Sequence, residues 1–326
     1  MSTGLTKKDQ KRLMLFAGRS HPALANEVAS ILDVDLVPMR AVTYANSEIY
    51  VRFEESVRGS DAFVIQSHHA PVNEWMMEQL IMVDALKRAS AKRITVVSPF
   101  YPYARQDKKH AGREPISARL MADLYAAAGA TRIMSVDLHA AQIQGFFNGP
   151  VDHLHAMPLL SEYVAHKYGG QDLVVVSPDA GRVRMADQWT DKLGCTLAII
   201  HKRRDPNVAN TVAVHEVVGE VDGRVCLLVD DMIDTGRTIV LAAEALRAAG
   251  AIGVVVAATH AVFSHPALEL LQNPAITEVV VTDTLPIPPE KRFPTLTVLP
   301  IAPLLARAIH EVFDEGSVTS MFEGAA

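Results

Sequence analysis

Only two cysteines occur in 326 residues, Cys195 and Cys226. Both lie in apolar runs without metal-ligand spacing. A disulfide framework and a thiolate zinc site are therefore excluded, and both read as buried thiols in a reducing compartment. Basic residues are not in excess: 31 Lys and Arg stand against 37 Asp and Glu, a net charge of -6. That balance excludes a broad nucleic-acid footprint and leaves room for a local basic site that takes a small anion. No run reaches 18 uninterrupted apolar residues, and the opening MSTGLTKKDQKR carries no apolar signal segment. A cytoplasmic, non-membrane protein is expected.

What is present is an ordinary globular composition, 49% hydrophobic and 21% charged. At about 150 residues per domain, the length points to two domains. Short β-branched runs alternate with longer amphipathic stretches. The runs Leu13–Phe16, Ile49–Phe53, Ala62–Gln66, Ile94–Ser98, Ile133–Val136, Leu173–Ser177, Leu197–Ile200, Val225–Val229, Val254–Ala258 and Val279–Val281 read as strands. Asn73–Arg88, Ile116–Ala128, Pro158–His166, Val183–Leu193 and Thr238–Ala249 read as helices, with Met76, Leu80 and Val83 at near-helical spacing. Continuous apolar strands are those of a parallel sheet covered on both faces, so the class is α/β with open sheets. Short echoes suggest two related halves. Ala128-Gly129-Ala130 followed by Leu138-His139-Ala140 resembles Ala249-Gly250-Ala251 followed by Thr259-His260-Ala261, and Val96–Pro99 resembles Val175–Pro178. The expected division is 1–156, 157–300 and a C-terminal helix and tail, 301–326, packed on the first half. Glu315–Ala326 reads as a frayed end.

Chemistry gathers in five segments. Asp230-Asp231-Met232-Ile233-Asp234-Thr235-Gly236-Arg237-Thr238 follows a predicted strand and opens a predicted helix. Free amides at such an N-terminus cradle a phosphate, with Gly236 allowing close approach and the threonines adding hydroxyls. Asp230 and Asp231, expected at the strand end, suit ribose hydroxyls or a hydrated Mg2+. Beyond Ile94–Ser98 comes Tyr101–Lys109, where Arg105 can meet a phosphate or base and Gln106 and Asp107 offer polar recognition. A solvated charged loop is the competing explanation. Asp137–Phe147 places His139 just after a strand, and Ser177-Pro178-Asp179-Ala180-Gly181 places Asp179 likewise. Each alone also fits a structural hydrogen-bonded residue. His201-Lys202-Arg203-Arg204-Asp205-Pro206-Asn207 is a cation cluster in an acidic chain, fitting either a polyanion or a charged surface.

The Asp230–Thr238 segment resembles the phosphoribosyl-pyrophosphate motif of type I phosphoribosyltransferases and ribose-phosphate pyrophosphokinases. Tyr101–Lys109, Asp137–Phe147 and Ser177–Gly181 resemble the latter family, and the likeness runs from Phe16-Ala17-Gly18 to the final helix. It implies two related open-sheet domains of the type I phosphoribosyltransferase-like fold. It also implies synthesis of 5-phosphoribosyl 1-pyrophosphate and AMP from ATP and ribose 5-phosphate. The implied catalytic cations are Lys202 and Arg204. The implied ATP residues are Tyr44, Asn46, Ser47, Glu48, Arg105, Gln106 and Asp107. The sugar phosphate falls to Arg204, Asp230, Asp231, Asp234, Thr235, Gly236, Arg237 and Thr238, and Mg2+ to His139 and Asp179. A homohexamer built from dimers, with phosphate and ADP as effectors, is also implied. Three departures stand out. Tyr44–Glu48 replaces the usual aromatic-x-Asp-Gly-Glu. Arg237 replaces a small residue. Arg204-Asp205-Pro206-Asn207 reduces the usual Arg-Pro-Arg-Pro-Asn loop. A phosphoribosyltransferase and a non-catalytic regulatory subunit are the alternative functions.

Overall fold

The computed structural model describes residues 11–203 and 214–322. The chain forms two compact units. One runs through Ser135 and takes in Ala140–His153 and Leu305–Val318. The other combines Val136–His139, Leu154–Leu304 and the residues from Thr319.

In the first unit, β1 (Leu13–Ala17), α1 (Pro22–Leu32), β2 (Met39–Thr43), β3 (Ile49–Phe53), β4 (Asp61–Ile65), α2 (Val72–Arg88), β5 (Arg93–Val97), α3 (Ser117–Ala128), β6 (Arg132–Val136) and β7 (Val151–Leu154) follow in order. The sheet order is β1-β4-β5-β6-β7, with β2 and β3 as a separate antiparallel pair. Strands β1, β4, β5 and β6 run parallel. Helix α2 carries Glu74 in its first turn and Lys87 and Arg88 in its last, matching the helix dipole. Its inner face is less apolar than the sequence pattern promised. Leu80 is only half-buried, whereas Glu78 and Gln79 are fully buried. Glu78 accepts from the Arg19 amide (2.7 Å), Arg19 Nε (2.5 Å) and Gln66 Nε2 (3.0 Å), which removes the penalty of an unpaired buried charge.

The second unit contains α4 (Met157–Tyr168), β8 (Leu173–Ser177), α5 (Val183–Leu193), β9 (Thr196–Arg203), β10 (Val214–Val218), β11 (Val225–Ile233), α6 (Arg237–Ala248), β12 (Gly253–Ala261), α7 (Ala267–Leu270), β13 (Glu278–Thr282) and β14 (Leu296–Leu299). Helix α8 (Ala302–Phe313) follows, and from Leu305 it belongs to the first unit. The sheet order is β10-β9-β8-β11-β12-β13-β14, parallel except for the antiparallel β9–β10 pair. Strands β8, β12 and β13 are buried throughout, as central strands covered on both faces must be. Ile239, Val240, Ala242, Ala243 and Leu246 form the buried stripe of α6. Each large aliphatic side chain so buried contributes about 1.5–3 kcal/mol.

The two sheets are related by strand order. In the second unit the first strand, β8, lies between the second, β9, and the third, β11. In the first unit β1 pairs with β4 and also bridges Leu36, which holds the second-strand position. Both orders therefore run 2-1-3-4-5-6, the doubly wound arrangement, with β10 added beside β9 in the second unit. The short sequence echoes do not coincide with this correspondence. The Ala-Gly-Ala echo matches the approach to β6, fifth in its order, with the approach to β12, fourth in its own. The valine echo matches β5 with β8, again at unlike positions. Valine strands and Ala-Gly helix ends recur for local reasons.

Two further expectations need correction. Glu315 is not at a loose end: it pairs with Lys11 at 2.8 Å and Arg93 at 3.3 Å, and Thr319–Phe322 forms a 3-10 turn. Cys226 is buried as expected, but Cys195 is only half-buried, in the turn after α5; both are free thiols.

Candidate active site

The site of the second unit follows from where neighbouring strands part. Strand β11 pairs with β8 only from Val225 to Leu228, because β8 ends at Ser177. On its other side it stays in register with β12 as far as Ile233 opposite Ala261. Asp230 and Asp231 therefore lie inside a strand rather than at its end, which corrects the expected stop at Val229. The apolar run ends there, but the backbone partners on β12 continue. Beyond Leu228, β11 stands clear of β8 at the reversal of strand order, where crevices form in open α/β sheets.

Two side chains, His139 and Arg182, converge on the acid pair. His139 Nδ1 lies 2.7 Å from Asp231 Oδ2. Arg182 Nη2 donates to Asp231 Oδ1 at 2.6 Å, and Arg182 Nε lies 3.2 Å from Asp230 Oδ1. Arg182 Nη1 donates to the His139 carbonyl at 3.2 Å, and Nη2 lies 2.8 Å from His139 Nδ1. The Asp231 amide donates to Asp230 Oδ1 at 2.9 Å. Burial, and then the charge of Asp231, push the Asp230 carboxyl well above the usual carboxylate range. Burial also opposes ionisation of Asp231, but the His139 hydrogen bond and the Arg182 charge outweigh it and hold Asp231 down to about 2. With protein groups alone around it, the pair carries its negative charge on Asp231.

The sequence motifs give no role to Arg182 or Asp137. Arg182 ends the short turn Ala180–Arg182 that Asp179 opens. Asp137, directly after β6, has φ +37, a left-handed conformation that Asp tolerates better than most residues. Its carboxylate accepts from Thr259 Oγ1 at 2.6 Å and the Ala156 amide at 3.0 Å, with His155 Nδ1 at 3.2 Å. Burial opposes its charge, but these contacts hold its pKa below the ordinary value. Asp137 thus fixes the turn that delivers His139. Its position between a strand and a histidine was the available signal. A cavity of about 50 Å3 opens beside the pair, lined by Asp137, His155, Trp189, Asp230, Asp231 and Thr259 among others.

After Ile233 the chain turns through Asp234, Thr235 and Gly236 into α6. Gly236 caps the helix at φ +76, a conformation that favours glycine. No side chain caps this end, and no acid lies in its first turn. The Ser264 amide donates to the Asp234 carbonyl and the Phe263 amide to the Ile233 carbonyl, both at 3.0 Å, which pins the turn from behind. Free amides at a helix N-terminus of this kind are suited to phosphate. Arg237 is exposed, and Thr238 half-buried.

The other expected residues are distributed as follows. Asp179 is half-buried, and its carboxylate accepts from the Gly181 amide at 2.8 Å. Among the described residues, no hydrogen bond or ion pair joins it to His139; Arg182 makes that link three residues later. Lys202 lies on β9, its backbone opposite His215 of β10. Arg204 lies outside the described residues. In the first unit, Tyr44–Glu48 forms the β2–β3 turn, closed by the Tyr44 amide on the Glu48 carbonyl at 2.8 Å. Ser47 takes φ +71, so the turn keeps the backbone shape that glycine would favour. Asn46 Oδ1 accepts from the Glu48 amide at 3.2 Å, and Tyr44 is exposed. In the loop after β5, Arg105 is exposed. Gln106 Oε1 accepts from Ser117 Oγ at 2.6 Å, and buried Asp107 accepts from Gln142 Nε2. Those two side chains hold the loop.

The donor set around the pair fits Mg2+. That ion takes oxygen ligands, keeps several waters and is commonly held by one or two carboxylates. Asp230 and Asp231 supply oxygens close enough to need a positive charge or a proton between them. The imidazole of His139, braced by Asp231, is suited to a bound water or an outer contact.

Comparison with known proteins identifies the family. Residues 13–129 match the N-terminal domain of ribose phosphate pyrophosphokinase, and residues 206–323 match the phosphoribosyl synthetase-associated domain. A ribose-phosphate pyrophosphokinase of Streptomyces coelicolor is 63% identical over 321 residues, 98% of this chain and 99% of that protein. The protein of that name from Mycobacterium tuberculosis H37Rv is 61% identical over 319 residues, 98% of each chain. The crystal structure of phosphoribosylpyrophosphate synthetase from Mycobacterium smegmatis superposes with a TM-score of 0.90 at 61% identity, covering 94% of this chain and 100% of that one. With its two doubly wound α/β sheets, the chain belongs to the ribose-phosphate pyrophosphokinase family.

Proposed function

We propose that the chain transfers the βγ-pyrophosphoryl group of ATP to ribose 5-phosphate, yielding 5-phosphoribosyl 1-pyrophosphate and AMP. One observation carries the reading. The Asp230–Asp231 pair stands at the strand-order reversal and leads directly into a glycine-capped helix N-terminus. Ribose hydroxyls and a sugar phosphate require those two features side by side.

In this reading, the amides and hydroxyls of Asp234, Thr235, Gly236, Arg237 and Thr238 bind the 5-phosphate. Asp230 and Asp231 orient the ribose hydroxyls. O1 of the sugar attacks the β-phosphorus, the bond from that phosphorus to the α-phosphate oxygen breaks, and AMP leaves. Lys202 and Arg204 stabilise charge on the moving group, so that catalysis rests on alignment and electrostatics. Tyr44 stacks on the adenine, Asn46, Ser47 and Glu48 complete that turn, and Arg105 meets nucleotide phosphate while Gln106 and Asp107 hold its loop. Mg2+ bound near His139, Asp179 and the acid pair supplies charge neutralisation on the phosphate oxygens. We further place the enzyme in the cytoplasm, in nucleotide biosynthesis, as a homohexamer responding to phosphate and ADP. Among the described residues, no helix is long and apolar enough to cross a membrane. The test is formation of AMP and the pyrophosphorylated sugar from ATP and ribose 5-phosphate with Mg2+. A clean preparation that makes neither refutes the proposal.

A further inference from the structure

Arg182 stands at a position that neither the motifs nor the proposed reaction assigns. Its guanidinium bridges three groups at once: Asp231 Oδ1 at 2.6 Å, Asp230 Oδ1 at 3.2 Å and His139 Nδ1 at 2.8 Å. A fourth contact, to the His139 carbonyl at 3.2 Å, fixes the fork. Only about a fifth of the side chain is exposed.

We infer that Arg182 is a positioning residue, an internal cation that holds the acid pair and His139 until a divalent cation displaces it. The inference rests on the proposed placement of the cation at this site. Two physical arguments support it. First, a guanidinium and a divalent cation compete for the same carboxylates, and their mutual repulsion in a partly buried site is large. Second, the contacts to His139 Nδ1 are incompatible. Asp231 Oδ2 lies 2.7 Å from that nitrogen and Arg182 Nη2 lies 2.8 Å from it. A protonated Nδ1 donates to the carboxylate, whereas a bare one accepts from the guanidinium; it does not do both. The tautomer that turns the Nε2 lone pair toward a cation or its water keeps the proton on Nδ1, facing Asp231. Binding of the cation therefore removes the Arg182 contact to His139 Nδ1 and sets a second positive charge against the two carboxylate contacts that remain. Arg182 weakens adventitious cation binding to the sugar-free site and keeps the acid pair aimed.

The experiment measures Mn2+ binding by electron paramagnetic resonance in the full chain without sugar or nucleotide. Parent, Arg182→Lys and Arg182→Gln proteins are compared, with a thermal melt confirming that each is folded. Lysine keeps the charge but offers no fork to span both acids and the imidazole. The expected order of affinity is parent, then Lys, then Gln. Gln should bind about tenfold more tightly than the parent, within the usual range of site coupling. Equal or weaker Mn2+ binding by Arg182→Gln overturns the inference. If that variant does not fold, Arg182→Lys decides, and binding no tighter than the parent's overturns it. Product formation by the parent is assayed separately. A parent that makes product, paired with variants that bind Mn2+ no more tightly, refutes only the role of Arg182. A parent without product, paired with tighter variants, refutes the activity and leaves the competition standing.

Discussion

Replacing Gly236 with alanine separates the backbone requirement of the turn from its proposed task. Gly236 sits at φ +76, and an added Cβ would come to 3.4 Å from Leu271 Cγ and 3.5 Å from the Ala267 Cα. These are ordinary contacts, so steric clash contributes little. The left-handed backbone costs an L-residue about 1–2 kcal/mol. At about 2–4 °C per kcal/mol for a unit of this size, Gly236→Ala should melt about 2–8 °C below the parent. The effect on the sugar phosphate should be larger than that strain. A hydrogen bond to a charged group contributes about 1.5–3 kcal/mol, and a turn that relaxes toward negative φ withdraws at least one amide from the anion. The KM for ribose 5-phosphate should therefore rise about tenfold or more, at every temperature where the variant is folded. Thermal melts and steady-state kinetics with the sugar varied read both quantities. A lowered melting temperature with an unchanged KM refutes the phosphate cradle. An unchanged melting temperature refutes the left-handed turn.

Three other substitutions probe the remaining parts. The Asp230 carboxyl is held above its unfolded value, so its contribution to stability is complete below about pH 4 and is lost as pH rises through the folded value. Asp230→Asn keeps an acceptor for the Asp231 amide without the charge, so it should melt higher than the parent at pH 7 and level with it near pH 3; a lower melting temperature at pH 7 contradicts this. Lys202→Ala should lower kcat at least about tenfold while changing the KM for ATP little, because the proposed contact strengthens in the transition state; an unchanged kcat rejects the role. Glu78→Ala leaves the Arg19 amide, its guanidinium and Gln66 Nε2 without their shared acceptor, and should cost about 3–5 kcal/mol by denaturant unfolding, with Gln recovering part. A cost under about 1 kcal/mol shows that the buried pair does not brace the first sheet.

The elements that sequence made legible are those with a strong periodic signal. Buried parallel strands such as Leu173–Ser177, and the stripe of α6, announce themselves because both faces, or one stripe, must be apolar. The short edge strands β7, β10 and β14 and strand β2 of the separate two-stranded pair carry no such signal, since one neighbour or open solvent suffices for them. Strand β11 was cut short at Val229 because hydropathy ends where the acids begin, although β12 continues to supply backbone partners. In the site, Asp230, Asp231 and His139 are legible as polar residue types directly after apolar runs, and the structure brings them together. Arg182 was not. Its importance comes from the position of a turn relative to a neighbouring strand, and nothing in Ala180-Gly181-Arg182-Val183 distinguishes it from Arg184. Gln106 and Asp107 show the converse: polar residues in an expected binding loop whose side chains are occupied in building it.

Product identity decides the proposed reaction. Purified chain incubated with ATP, ribose 5-phosphate and Mg2+ should yield AMP and 5-phosphoribosyl 1-pyrophosphate in equal amounts, resolved by ion-pair chromatography and mass spectrometry, with the β- and γ-phosphorus of ATP recovered together on the sugar. Absence of both products, or release of pyrophosphate that depends on an added nucleobase, contradicts it.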